Sequence, residues 1–253
     1  MKYFAMVVIL AFLATLLMGI LLIPWLKKLK FRQTVREDGP KSHLAKTGTP
    51  TMGGLLFQIP LIVISLILTR GNRDFVFFAV LSTVGFGLIG FLDDYIGIVK
   101  SRSLGLRAYQ KIIGQLVLSV ALAYYAYTNE YIGSSVILPF VGKEWDLGIF
   151  YIPVTVFIII GTVNSVNLTD GLDGLCSGVT LIVSATLNII LLSVCQMDRT
   201  RHIAYLAENY GELLIFSAAL TGGCLGFLRY NAHPAQVFMG DTGSLALGGA
   251  VAA

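Results

Sequence analysis

The stretch FVFFAVLSTVGFGLIGFLDD, residues 75–94, joins a long apolar run directly to two adjacent aspartates. A helix needs about 20 mostly apolar residues to cross a bilayer, and the run 75–92 is close to that length. Comparable runs predict membrane spans at 3–24, 54–69, 75–92, 112–128, 150–164, 175–195, 212–228 and from 244 onward. We therefore predict an all-α polytopic membrane protein, with about eight transmembrane helices in one domain over residues 1–253.

The composition points to the same class of protein. Hydrophobic residues make up 56% of the chain and charged residues only 13%, where a soluble domain carries about 25%. The net charge of +4 falls in the predicted loops, so no nucleic-acid partner is expected. Cys176, Cys195 and Cys224 share no ligand spacing and are expected to be packing residues. A signal peptide is the alternative for 3–24, but this run is too long for one.

Loop charge predicts the orientation of the chain in the membrane. Of the 18 lysines and arginines, the larger share falls in the loops that also hold five aspartates. The positive-inside rule then places the N-terminus outside and these acids in the cytoplasm: Asp93, Asp94, Asp170, Asp173 and Asp241. Carboxylates gathered at one membrane face suggest a divalent cation and a phosphorylated substrate. On the outer side, 136–140 and 145–149 flank the turn-like residues 141–144, which predicts a small external β-hairpin.

Asp93 and Asp94 follow the third predicted span without a break. Adjacent side chains on a helix point about 100° apart, so the two carboxylates are predicted to face different partners. A solvated helix end is the alternative. However, a helix C-terminus favours basic residues over acids, which makes a functional role the better interpretation.

The loop NLTDGLDG, residues 167–174, carries a second acidic pair. Asp170 and Asp173 are three residues apart, a spacing that places both carboxylates on one face of a turn. The glycine after each acid lets the backbone approach a ligand closely. The alternative is a capping turn with Asp173 as N-cap, and both can hold. Two acids with Asn167 and no basic residue exceed what capping needs.

Two further segments carry candidate ligand groups. In FMGDTGS, residues 238–244, Asp241 is predicted to cap the following helix and to bind Mg²⁺, which proteins usually hold with one or two carboxylates plus waters and substrate phosphates. Phe238 is a candidate for stacking on a base, with a membrane-interface anchor as the alternative. In KTGTPTMGG, residues 46–54, Lys46 and the start of the next helix form a candidate phosphate site, with a Pro/Gly-rich turn as the alternative. Lys111, at the start of the fourth span, is a further candidate for a phosphate.

These segments together resemble a known family. KTGTPTMGG at 46–54 and NSVNLTDGLDGL at 164–175 resemble the two signature segments of the bacterial phospho-N-acetylmuramoyl-pentapeptide transferases (MraY), which belong to the polyprenyl-phosphate N-acetylhexosamine-1-phosphate transferases. The acids at 93–94 and FMGD at 238–241 fit the remaining acidic motifs in order, and the resemblance runs over the whole chain. It implies about ten membrane helices, a Mg²⁺ cofactor and a homodimer.

The resemblance also implies a reaction. Phospho-MurNAc-pentapeptide passes from UDP-MurNAc-pentapeptide to undecaprenyl phosphate, giving lipid I and UMP for peptidoglycan synthesis at the cytoplasmic face of the bacterial inner membrane. Both substrates carry phosphates and one is anchored in the bilayer, so chemistry is expected where the acids lie. Mg²⁺ would neutralise the diphosphate and stabilise the departing UMP. The second pKa of a phosphate monoester is about 6, so the lipid phosphate makes little demand for a general base.

The resemblance assigns a role to each matching residue. The catalytic candidates are Asp241 as the Mg²⁺ ligand, Asp94 as a second ligand, and Asp93 as the acid that deprotonates or positions the lipid phosphate. The candidates for the uridine pocket are Lys46, Gly171, Leu172, Asp173 and Phe238. Those for the neighbouring polar pocket are Thr51, Asn167 and Asp170. Lys111 and Asn231 match polar groups of the active-site groove.

The resemblance also implies segments that lie beyond Ala253. The family carries a histidine-rich motif on a late cytoplasmic loop and then a final span, so we expect a chain truncated at its C-terminus, whose own activity stays open. Three alternative functions also stay open. A sister transferase that moves GlcNAc-1-phosphate to the same carrier would share the acids and Mg²⁺, but the two signature segments favour the muramoyl enzyme. An ion-coupled transporter would prefer a carboxylate at the centre of a span, and a scaffold would show no turnover.

Overall fold

The computed structural model describes residues 2–28, 49–71, 73–100, 105–138, 142–200 and 204–253. Eight α-helices lie in these ranges: α1 (Lys2–Lys28), α2 (Leu55–Leu68), α3 (Asp74–Val99), α4 (Ala108–Thr128), α5 (Tyr151–Thr169), α6 (Leu175–Thr200), α7 (Ala204–Asn231) and α8 (Gly240–Ala252). Two short strands, β1 (Ser135–Ile137) and β2 (Glu144–Asp146), and a 3₁₀ turn at Gly148–Phe150 lie between α4 and α5. Every predicted span is helical, and most of the helices extend beyond the apolar run that predicted them.

The fold is that of a multi-pass membrane protein. Helices α1, α3, α5, α6 and α7 are long and apolar enough to cross a bilayer, and α2 is a shorter apolar helix of 14 residues. Large apolar side chains on α1 face outward, among them Leu17 at 57% and Ile20 at 65% exposure. A helix surface of this kind suits contact with lipid chains.

Among the described residues, α4 and α8 are predicted spans that do not belong to these five helices, and other helices surround α8. Residues Thr242–Ala250 are all buried, and α8 packs mainly between α3 and α5. The helix that carries Asp241 in its first turn therefore lies inside the bundle.

The second half of the core forms around α7, which packs against α1, α2 and α6. Gly222 and Gly226 lie where α7 meets α1, and a Cβ at either position would meet α1 atoms. Small residues four apart allow such close helix contact in membranes. The rings of Phe57 and Phe227 meet edge to face, with centroids 5.5 Å apart, and join α2 to this core.

The external hairpin exists, with shorter strands than predicted. Its register pairs Ser135 with Asp146 and Val136 with Trp145. The second strand ends at Asp146, earlier than expected, because its carboxylate accepts hydrogen bonds from the Ser134 hydroxyl at 2.6 Å and the Gly148 N–H at 2.9 Å. These bonds turn the chain into the 3₁₀ turn, and they lower the pKa of Asp146.

The bundle has two distinct ends. At the end we call the acidic end, the last turns of α3 and α5 meet the first turns of α4 and α8. At the opposite end, the hairpin end, the Tyr205 hydroxyl donates to Asp74 at 2.6 Å and the Tyr205 ring stacks on Tyr131. The predicted clustering of acids at one end of the spans is what the structure shows for α3, α5 and α8.

Candidate functional site at the acidic end

Asp94 and the first turn of α8 form the centre of the acidic end. The Asp94 carboxylate accepts hydrogen bonds from the Asp241 N–H at 3.2 Å, the Thr242 N–H at 2.9 Å and the Thr242 hydroxyl at 2.6 Å. The first N–H groups of a helix have no partner within it, so α3 supplies the cap of α8. Asp241 was predicted to cap this helix itself, and that prediction is wrong, because no side chain of α8 caps its own N-terminus.

Asp241 is free of the capping role and points to two other helices. Its carboxylate forms an ion pair with Lys111 at the start of α4. Its other oxygen accepts a hydrogen bond from Asn167, near the end of α5, at 3.3 Å. The Asp241 side chain is 26% exposed and Lys111 19%, so the pair is partly open. Three predicted site residues from three helices therefore meet at one carboxylate.

Asp93 faces a different partner from its neighbour, as the 100° spacing predicted. Its carboxylate accepts a hydrogen bond from the Leu106 N–H at 3.0 Å and interacts electrostatically with the nearby Asp241 carboxylate. Helix α3 continues to Val99, so the two acids lie inside its last turns and not at its end. The segment before α4 and the start of α8 thus flank Asp93.

Glycines let α8 come this close to its neighbours. A Cβ on Gly90 of α3 would collide with the backbone of Asp241 and Thr242. Gly240 adopts a φ of +71°, in the left-handed region that favours glycine, and a Cβ there would lie 2.8 Å from the Thr51 hydroxyl. These contacts set the position of Asp241.

The segment before α2 pairs with the segment before α8. Phe238 donates its N–H to Pro50 at 2.8 Å, and Gly53 donates back to Phe238 at 2.8 Å. Gly54 donates to Met239 at 2.9 Å, and Thr51 beside them is buried. Two motifs separated by almost 190 positions in the chain are therefore joined by main-chain hydrogen bonds. Lys46 lies outside the described residues.

Asp170 differs from the other four predicted aspartates in its hydrogen bonding. Its carboxylate accepts no hydrogen bond from the residues that the structure describes. Burial, followed by the charges of Asp241, Asp94 and Asp173, raises the pKa of Asp170 to about 8. A bound cation would offset this repulsion and keep the carboxyl ionised.

Asp173 and Asn231 hold the α5–α6 turn against the chain that follows α7. Asp173 accepts the Ala235 N–H at 3.2 Å and lies 3.1 Å from the His233 ring nitrogen Nδ1. Buried Asn231 accepts from the Gly174 N–H at 3.1 Å and donates to the Val237 carbonyl at 3.0 Å. These contacts of Asn231 are structural, and its predicted role in binding substrate stays a prediction.

The exposed part of the turn between α5 and α6 is open to a ligand. Gly171 and Leu172 are both exposed, with Leu172 at 60%, and Phe238 lies half-buried on the neighbouring segment. The predicted uridine-pocket residues that the structure describes thus lie at the acidic end, although their contact with a nucleotide stays a prediction.

The acidic end has a donor set that fits Mg²⁺. Within the described ranges, no three His, Cys, Asp or Glu side chains are arranged to hold a metal alone. Mg²⁺ does not need such a cage, because it is usually bound by one or two carboxylates and by substrate phosphates. The Asp241 carboxylate already binds the Lys111 ammonium, and the Asp170 carboxylate interacts electrostatically with Asp241. Asp94 accepts one hydrogen bond at Oδ1 and keeps a lone pair there.

Comparison with known proteins gives the family. Residues 76–253 match the family model described as glycosyl transferase family 4, and residues 46–57 match signature 1 of phospho-N-acetylmuramoyl-pentapeptide-transferase. A relative named phospho-N-acetylmuramoyl-pentapeptide-transferase from Thermoanaerobacter sp. (strain X514) is 52% identical, over 96% of this chain and 72% of its own length. One of the same name from Clostridioides difficile (strain 630) is 49% identical, over 97% of this chain and 72% of its own. The chain belongs to the phospho-N-acetylmuramoyl-pentapeptide transferase family.

The sequence of this phospho-N-acetylmuramoyl-pentapeptide transferase family member did not predict several contacts that the structure shows at the site. Thr242 completes the cap with Asp94, and Gln58 of α2 donates to the Thr242 carbonyl at 2.8 Å. His233 was not among the predicted site residues, and its ring lies against the Asp173 carboxylate. The sequence contains one signal for the Gln58 contact: a polar glutamine interrupts the apolar run of the second predicted span, which indicates a specific partner for its side chain.

The cap on α8 yields a prediction that separates two roles of Asp94. Asp94→Ala removes three hydrogen bonds and should cost roughly 2–4 kcal/mol of stability, whereas Thr242→Val removes one and should cost about 1–2 kcal/mol. Both variants should lower turnover by displacing Asp241. Thermal denaturation in one detergent checks the order. If Asp94 served only as a metal ligand, Asp94→Ala would change the Mg²⁺ dependence at an unchanged melting temperature, and Thr242→Val would resemble the parent.

Proposed function

We propose that this chain transfers phospho-MurNAc-pentapeptide from UDP-MurNAc-pentapeptide to undecaprenyl phosphate, with release of UMP and formation of lipid I. The observation that carries the proposal is the meeting of Asp93, Asp241, Lys111 and Asn167 at one end of a membrane bundle. A reaction between a bilayer-anchored phosphate and a nucleotide sugar needs charged groups at the membrane boundary. The names of the relatives support this reaction over GlcNAc-1-phosphate transfer or ion transport.

We propose Mg²⁺ as the cofactor. Asp241 would be its first protein ligand, and Asp94 would be its second. When bound, Mg²⁺ would neutralise the diphosphate and stabilise the departing UMP. Lys111 forms an ion pair with Asp241 and would orient a substrate phosphate there. Asn167 holds the Asp241 carboxylate in one orientation. Asp93 would position the lipid phosphate or accept its proton, and Asp170 would sit beside the cation.

The proposed setting is the cytoplasmic membrane of a bacterium, with the N-terminus outside and the acidic end facing the cytoplasm. The distribution of basic residues in the loops supports this orientation. A homodimer is proposed from the family resemblance alone.

The reaction is tested by measuring UMP release from the purified chain in lipid, with undecaprenyl phosphate as acceptor. We expect Mg²⁺-dependent UMP release and lipid I with UDP-MurNAc-pentapeptide, and only background release with UDP-GlcNAc. Omission of the lipid acceptor is the matched control and should remove the signal. Activity with UDP-GlcNAc alone would reject the muramoyl substrate in favour of the sister transferase.

A further inference from the structure

We infer that Gln115 and Asn164, which lie outside the set of predicted site residues, act as a positioning pair for the reaction. The inference rests on the proposed function, because the groups that the pair positions are Lys111 and Asn167. Gln115 lies on α4 and is fully buried, and Asn164 lies on α5.

The two amides bond reciprocally across the helix interface. Asn164 Nδ2 donates to Gln115 Oε1 at 2.6 Å, and Gln115 Nε2 donates to Asn164 Oδ1 at 3.5 Å. Asn164 also donates to the Ile160 carbonyl of its own helix at 2.8 Å, which restrains its side chain. Neighbours on the two helices are apolar, among them Leu116 and Ile160. A reciprocal amide pair in such surroundings has one good geometry, because breaking it leaves polar groups without partners.

The position of the pair on its helices links it to the site. Gln115 follows Lys111 by four residues on α4, and Asn164 precedes Asn167 by three on α5. Residues at these spacings share a helix face. Lys111 and Asn167 then bind opposite oxygens of the same carboxylate, Asp241. The amide pair therefore sets the separation and rotation of α4 and α5 one helical turn from the point where both must reach one side chain.

Packing does not require polar groups here. Two leucines would fill a similar volume and avoid burying amides in an apolar interface. The hydrogen-bonded pair therefore fixes the relative orientation of α4 and α5 more than it stabilises the fold. A leucine pair tolerates small rotations and slides of the helices, and an amide pair does not.

The test compares four variants in lipid: Gln115→Leu, Gln115→Leu with Asn164→Leu, the exchange Gln115→Asn with Asn164→Gln, and Asn188→Leu. The double leucine variant should fold, with a kcat about 10–100-fold lower and KM values within about twofold of the parent. The exchange keeps one reciprocal amide pair and should recover most of the kcat. The single Gln115→Leu should be the least stable of the three at this pair, because it leaves one amide unpaired.

Asn188→Leu is the matched control. Asn188 of α6 donates to Thr221 of α7 at 2.8 Å, a buried hydrogen bond between helices away from the acidic end. Its loss should lower the melting temperature and leave the kcat of the folded protein unchanged. A double leucine variant that turns over at the parent rate, or an exchange variant as slow as the double leucine, would overturn the positioning role.

A second readout does not depend on the reaction. Lys111→Cys with Asn167→Cys places two thiols beside Asp241, and the three native cysteines are buried. A short bifunctional thiol reagent should link them in the parent background and lose most of that yield in the double leucine background. Equal yields in both backgrounds would overturn the inference even if the chain releases UMP. Efficient cross-linking in the parent background, together with no UMP release by the chain that keeps Lys111 and Asn167, would count against the proposed function alone.

Discussion

Asp241→Asn is expected to abolish Mg²⁺-dependent UMP release, with a loss of about 10³-fold or more, because a metal-stabilised phosphoryl transfer depends on several kcal/mol of charge neutralisation. The amide has nearly the same shape as the carboxylate. Its oxygen can accept from Lys111, and Asn167 can turn its own oxygen toward the new NH2 group. It carries no charge and is a much weaker ligand for Mg²⁺. Fold should therefore survive while chemistry is lost, and a titration of UMP release against Mg²⁺ measures this.

The control for Asp241→Asn is the same exchange at Asp146 on the external hairpin. Asp146 is exposed, and its carboxylate accepts hydrogen bonds from Ser134 and Gly148 at the hairpin end. Asp146→Asn should leave turnover at the parent level. Near-normal turnover of Asp241→Asn at saturating substrate would refute the assignment of Asp241 to the metal.

Gly90→Ala is expected to damage both stability and turnover through the contact of α3 with α8. The new Cβ would meet the carbonyl group of Asp241 and the amide nitrogen of Thr242. Both are backbone groups, so no change of rotamer can make room, and the helices must separate. Overpacking of this kind costs about 1–3 kcal/mol, and a displacement near 1 Å at a reacting group can cost about 10²-fold in rate. Melting temperature and kcat, measured on one preparation, check the two effects together.

Gly161→Ala on α5 is the control for steric damage. A Cβ at Gly161 has no described atom within 4 Å, so the substitution should be neutral or stabilise the helix by up to about 1 kcal/mol. A Gly90→Ala variant that behaves like Gly161→Ala would show that α3 and α8 are not in the close contact described.

Local patterns in the chain were enough to predict the membrane class and the helices. The length and apolarity of runs such as 75–92 and 175–195 are properties of consecutive residues, and a bilayer imposes one answer on them because no water satisfies an exposed backbone. The acidic motifs were visible for the same reason, since charges beside an apolar run stand out. The 100° spacing also predicted correctly that Asp93 and Asp94 face different partners.

Helix ends were predicted less well than helix positions. The apolar run before Asp93 ends at residue 92, but α3 continues to Val99, because a helix carries its backbone hydrogen bonds past the lipid into polar surroundings. Helix α8 was expected to be a span, and its burial between α3 and α5 depends on the packing of other helices. Hydropathy alone does not distinguish an apolar helix surrounded by protein from one surrounded by lipid.

What the amino-acid order decided was therefore the class of fold, the helices and the candidate reactive groups, because each of these follows from residues close together in the chain. The division of labour among the acids came only from the tertiary structure. Asp94 caps a helix that begins almost 150 positions later, and Asp241 meets Lys111 and Asn167 from two other helices. Such contacts depend on how each helix is rotated against its neighbours, and the packing of the whole bundle sets that rotation.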